Sequence, residues 1–144
     1  MSAASTTTVH LDVAVYKGEP LDWSEYRHTG LHFDFGDGSP FLFVHVEGSA
    51  QMFQYSELTS YDPQKSARLV RLVNVGYLLK DASRAQIQHL MRLVPVDNSE
   101  KSWNCQHWVG SALERLRDAG RLSSDDCEAG LDGMVTAIAG AQGT

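Results

Sequence analysis

The sequence predicts an α+β domain in which an antiparallel sheet packs against a helix that begins with a cysteine. Three observations carry that expectation. Two alternating segments, His28–Phe35 and Phe41–Glu47, flank Gly36-Asp37-Gly38-Ser39, the pattern of a hairpin closed by a tight turn. After Asn104, apolar residues recur at Cys105, Trp108, Val109, Ala112, Leu113, Leu116 and Ala119, the spacing of one helical face. The chain of 144 residues is 42% hydrophobic and 21% charged, which suits one core and is too short for two well-formed domains.

Read in order, residues 1–8 are small and polar and are expected as a flexible tail, with one domain over 9–140 and a second short tail at 141–144. Val9–Tyr16 alternates and predicts a strand. Lys17–Glu25, with Gly18, Pro20 and Trp23, predicts a loop. The hairpin follows, then a turn at Gly48-Ser49 into a short strand over Gln51–Ser56. Arg68–Val75 predicts another strand. Asp81 is the expected N-cap of a helix from Ala82 to about Leu93, with Ile87, Leu90, Met91 and Val94 on one face and Pro95 ending it. Val96–Ser102 is a polar loop feeding the cysteine helix, which Gly120 closes. Asp125-Asp126 opens a last helix reaching about Ala139.

The hairpin carries three of the six histidines. With Asp37-Gly38 at the centre of a type I′ turn, Asp34 pairs with Phe41, His32 with Phe43 and Gly30 with His45. Alternation then puts His28, His32 and His45 on one face, with His45 diagonal to the other two. A slip of one residue would send His45 to the opposite face. The expectation is that this face looks toward the N-terminal end of the cysteine helix. Cys105 itself stands in the first helical turn, where the dipole favours thiolate and lowers the thiol pKa.

The segment Asn104-Cys105-Gln106-His107-Trp108-Val109 resembles the Asn-Cys-Glu-His-Phe-Val motif of the lecithin:retinol acyltransferase family, a permuted branch of the NlpC-type, papain-like superfamily. Tyr26-Arg27-His28 resembles the segment carrying that family's catalytic histidine, and His45 falls where the family has its orienting histidine. The likeness runs over roughly residues 9 to 120. Gln106 stands in place of an acid, Trp108 in place of Phe, and Thr29-Gly30 in place of Trp-Ala. The chain is also similar to uncharacterised fungal proteins with a Trp-Asn-Cys-Gln-x-Trp-Val motif. The resemblance implies a permuted papain-like fold and acyl-cysteine chemistry.

On that reading Cys105 is the nucleophile, His28 the general base and His45 the group that fixes the base's tautomer. The backbone N–H of Cys105 would face a tetrahedral oxyanion, and Tyr26 would add a hydrogen bond. His32, Trp103 and Gln106 complete the expected substrate contacts. Simpler roles stand beside these: a core-facing cysteine is a small hydrophobe, His45 sits among Phe43, Val44 and Val46, and Trp103 and Trp108 are packing residues. His107 lies off the apolar stripe and is expected to be exposed. His10 and His89 belong to no constellation, and Cys127 is expected to be inert.

Net charge is −6 with no basic block, which argues against nucleic acid and against an electrostatic hold on anionic membranes. Residues 129–144 contain four glycines and never reach the ~20 apolar residues that span a bilayer. Cys105 and His107 are too close for usual zinc-ligand spacing and no second pair completes a site, so no metal or other cofactor is expected. No apolar run follows a basic region at the start, so the expected compartment is the reducing cytoplasm. The predicted function is thiol-dependent acyl transfer or hydrolysis of an amide, ester or thioester, on a small-molecule, acyl or peptide substrate. The alternatives are a degenerate papain-like binding module and a biosynthetic enzyme that uses the same pocket for cyclisation or rearrangement. Oligomeric state is not readable from the sequence.

Overall fold

The computed structural model describes residues 6–141. Five strands form one antiparallel sheet: β1 (Thr6–Tyr16), β2 (Thr29–Asp34), β3 (Leu42–Glu47), β4 (Gln54–Thr59) and β5 (Leu69–Leu79), in the spatial order β4-β3-β2-β1-β5. Three helices follow in the chain: α1 (Arg84–Arg92), α2 (Cys105–Asp118) and α3 (Ser124–Ala139). The helices cover one sheet face, α2 over β2 and β3, and α3 over β5 and β1.

Alternation decides which side chains meet them. Leu11, Val13 and Val15 of β1, Leu31 and Phe33 of β2, and Leu42, Val44 and Val46 of β3 point inward and join Ile87, Met91, Trp108, Val109, Leu113 and Leu116 in one buried core. The opposite face carries a separate small cluster of Ala14, Tyr16 and Phe43. The hairpin register is Leu31 with Val44, His32 with Phe43 and Phe33 with Leu42, the pairing expected from a type I′ turn. The turn differs: Gly36 and Gly38 have positive φ and Asp37 does not, so it is not type I′. Instead, the Asp37 carboxylate accepts the Ser39 N–H at 2.9 Å and shapes the loop from within.

Several boundaries depart from the sequence reading for local reasons. Thr6–Thr8 belong to β1 rather than to a tail; the rest of the expected N-terminal tail, and 142–144 of the C-terminal one, lie outside the described residues. The fourth strand starts at Gln54 because Gln51 adopts positive φ inside the turn, and the Asn98 side chain clamps both the N–H and the carbonyl of Phe53. β5 runs past Val75 to Leu79 through a bulge at Gly76 (φ 143°). Asp81 has φ 73° and lies in the turn, so the N-cap of α1 is Ser83, which accepts the Gln86 N–H. α2 ends where Gly120, at φ 75°, follows the C-cap Ala119.

α3 has few large apolar residues and packs closely instead. A Cβ at Gly133 would stand 2.4 Å from Val73 Cγ1, and one at Gly130 would stand 3.0 Å from Val75 Cγ2. The helix therefore sits against β5 at a separation only glycine permits. Gly133→Ala is expected to destabilise the fold by about 1–3 kcal/mol through overpacking, despite alanine's better helix propensity. Chemical denaturation with an unchanged m-value checks this; an unchanged midpoint would contradict the close approach.

Candidate active site

The N-terminus of α2 is held by a reciprocal cap. The Asn104 side chain accepts the Gln106 N–H at 2.9 Å, and His107 Nδ1 accepts the Asn104 N–H at 3.1 Å. Gln106 Nε2 reaches back to the segment before β2, donating to the carbonyls of Ser24 (2.7 Å) and Arg27 (3.0 Å). Gln106 is thus a tether, which corrects its expected place among the substrate contacts. Much of the Asn-Cys-Gln-His motif is accounted for by docking this helix end.

Arg27 is the residue that sequence reasoning missed. It is only 5% exposed. Its Nε and Nη2 each donate to the Asp22 carboxylate at 2.9 Å, and Nη1 donates to the Ala137 carbonyl at 2.6 Å. That carbonyl lies in the last turn of α3, where acceptors lack intrahelical donors and a cation meets the negative dipole end. The fork of hydrogen bonds from Arg27 holds the Asp22 carboxyl down to about 2.

His28 follows directly and continues the sheet, its carbonyl accepting the Tyr16 N–H at 2.8 Å. Its Nε2 lies 2.8 Å from His45 Nδ1, the rings nearly perpendicular at 75°. His45 Nε2 in turn stands 3.3 Å from a Glu47 carboxylate oxygen, without hydrogen-bond alignment. That carboxylate favours a proton on His45 Nε2 and leaves His45 Nδ1 as acceptor. His28 then donates from Nε2 and keeps a lone pair on Nδ1. Burial, with the neighbouring His45 adding to it, lowers His28 to about 4. Burial also lowers His45, against the opposing pull of Glu47. Glu47, two residues beyond His45 on the same strand face, was also missed, although period-2 spacing marks it.

Cys105 opens α2 at 6% exposure. Its thiol points toward the Arg27 carbonyl, 3.9 Å from Sγ. Burial pushes the thiol up, outweighing Thr29 and the helix-end amides of Cys105 and Gln106. This reverses the expected dipole-lowered pKa, since desolvation of a thiolate exceeds what the dipole returns here. Among the described residues, no hydrogen bond joins Sγ to an imidazole.

The histidines share a face as alternation predicts, but not the face expected. His28 and His45 lie with Tyr16 and Phe43 on the side of the sheet away from the helices, whereas Cys105 packs in the helix-side core. A cleft of about 970 Å³ wraps the end of the sheet and is lined by Cys105, Trp103 and Tyr26 as well as His28 and His45. His32 is outside it. Buried at 5% exposure under the Phe41 ring, with neither nitrogen hydrogen-bonded, it is a packing residue rather than the expected substrate contact. Tyr26 is exposed and stacks on Trp23, and Trp103 meets Phe53 edge-on. Cys127 is buried in the core.

Among the described residues no group of three or more His, Cys, Asp or Glu is placed to hold a metal ion, and no helix is long and apolar enough to cross a membrane. The fold and cleft define an α+β domain in which a cysteine in the first turn of a helix and a hydrogen-bonded histidine pair line one cavity. The chain belongs to a family of unknown function, DUF6540, whose model matches residues 15–123. Comparison with curated proteins finds no match, and neither does comparison with solved structures.

Because folded His28 sits near 4 and an ordinary histidine near 6.5, the unfolded chain takes up this proton first as pH falls. The stability held by neutral His28 is complete above about 6.5 and is lost as pH drops toward 4, by on the order of 3 kcal/mol. Thermal unfolding across that range is expected to show the decline, and His28→Asn to flatten it. An identical slope in the variant would contradict the buried neutral imidazole.

Proposed function

We propose that the protein is a cysteine-dependent acyltransferase or hydrolase that forms an acyl-Cys105 intermediate, on a permuted papain-like, NlpC-type fold. The observation that carries this reading is the His28–His45 hydrogen bond at 2.8 Å, opening on the same cleft as a cysteine at a helix N-terminus. The resemblance of the Cys105 and His28 segments to the lecithin:retinol acyltransferase family supports it.

In the proposed cycle Cys105 Sγ turns from the Arg27 carbonyl toward the bound substrate. His28 Nδ1 takes the thiol proton as Sγ attacks the acyl carbon. The carbonyl oxygen gathers negative charge against the Cys105 backbone N–H, with Tyr26 as a further donor. Collapse breaks the bond to the leaving group, which departs with the proton from His28, and leaves the thioester. Water, an amine or an alcohol then gives its proton to His28, attacks the thioester, and restores the thiol. Since burial raises the thiol and lowers the imidazole, the resting pair is neutral and the proton moves with the attack, rather than beforehand as in a standing thiolate–imidazolium pair. The reading carries with it a small-molecule, acyl or peptide substrate, no cofactor, and a reducing compartment such as the cytoplasm, in keeping with two free thiols.

A second reading rests on the burial of Cys105 and the separation of thiol and imidazoles across the sheet: a binding module that keeps the cleft without the chemistry. Variants separate the two. In aryl-ester hydrolysis, Cys105→Ala is expected to abolish turnover with a near-unchanged melting temperature, and His28→Ala to lose roughly 10²–10⁴-fold. Their combination should be no worse than either alone, and His45→Gln should keep part of the rate. kcat/KM should stay flat from about pH 5.5 to 8 and fall only as His28 is protonated near 4. Full activity in Cys105→Ala and His28→Ala would overturn the acyl-cysteine mechanism, and no turnover by the unsubstituted protein would leave the binding module standing.

A further inference from the structure

The part of the cleft on the open sheet face is built from rings. Phe43 meets His45 edge-on at 4.9 Å, Tyr61 at 4.9 Å and 59°, and Tyr16 at 6.3 Å and 84°. Tyr16 also tilts against His28 at 5.8 Å. Gly30 makes the arrangement possible, since a Cβ there would stand 2.3 Å from Phe43 Cζ. The Phe43 ring therefore lies over bare backbone and forms a floor, 2% exposed. Half-buried Tyr61 and the 37%-exposed Leu58 rise beside it.

Two phenols meet at this end, Tyr16 Oη and Tyr61 Oη at 2.8 Å. One hydroxyl hydrogen is spent between them. The other has no acceptor among the described residues, so the pair keeps one donor to offer a bound group. The accessible member of this wall is half-buried Tyr61, with the buried Tyr16 and Phe43 rings packed behind it. An aromatic surface of this kind suits the quadrupole of another aromatic ring better than a flexible alkyl chain.

We propose that this chamber receives the acyl part of the substrate and selects an aromatic ring with a hydrogen-bond acceptor on its far side, so that the substrates are amides, esters or thioesters of aromatic acids. The assignment rests on the acyl-cysteine reading for which end of the substrate is held. Its ring preference is measured by binding alone, so the two fail separately.

The test uses the full chain carrying Cys105→Ala and isothermal titration with unreactive amides. The probes are N-methylbenzamide, N-methyl-4-methoxybenzamide, N-methylcyclohexanecarboxamide and N-methylhexanamide. The benzamide is expected to bind about tenfold more tightly than the cyclohexane and hexane amides, and the methoxy group to add about threefold. Adding Tyr61→Phe should remove the methoxy gain and spare the ring preference, whereas Tyr61→Leu should reduce the ring preference as well. Equal affinity for benzamide and cyclohexane amide, or no binding by any of the four, overturns the proposal. Ring-selective binding in a protein that shows no acyl transfer would instead leave the chamber's specificity in place and remove the chemistry.

Discussion

A guanidinium taken out of water must find partners for its donors, and Arg27 finds them in two places. Its fork locks Asp22 and an Nη1 donor reaches the last turn of α3, while the residue's backbone carbonyl receives Gln106 from α2. The segment before β2, the start of α2 and the end of α3 are thereby tied at one point. His28 is the next residue along the chain, and the Cys105 thiol points at the Arg27 carbonyl. The placement of both candidate catalytic groups depends on this buried charge being satisfied. Removing one partner of such a cluster leaves the others buried and unpaired, which costs more than the contact itself.

Electrostatics in the cleft are governed by burial rather than by formal charge. The helix end and its amides favour thiolate at Cys105, yet a side chain shut into the core loses more by desolvation. The same effect keeps His28 and His45 neutral. The neutral imidazole pair keeps a lone pair free at neutral pH but is a weaker base than an ordinary histidine, and a neutral thiol is less open to adventitious oxidation than a thiolate. The proposed chemistry therefore belongs to a thiol and base that become partners on substrate binding.

Elements with strong local periodicity were legible in the sequence. α2 with its buried stripe follows from period-3.6 patterning and the shared face of His28 and His45 from period 2, while the hairpin register came out as expected although the turn it was read from did not form. Boundaries set by backbone exceptions were not: positive φ at Gln51 and Asp81 moved the start of β4 and the cap of α1. The face toward which the histidines turn was also missed, because alternation states which side chains agree but not which side the helices cover. Arg27 could not be found locally, since its partner Ala137 is 110 residues away. The Gln106 tether and the His107 cap show that motif residues can be kept for holding a helix end as well as for chemistry.

The acyl-enzyme itself offers the most direct test. Intact-protein mass spectrometry after incubation with an activated aryl ester, followed by peptide mapping, reads the intermediate without knowledge of the natural substrate. The account predicts a single acyl addition on Cys105, released by hydroxylamine, absent in Cys105→Ala and formed far more slowly in His28→Ala. An unmodified protein, or acylation spread over lysines or Cys127 with Cys105 untouched, would contradict it.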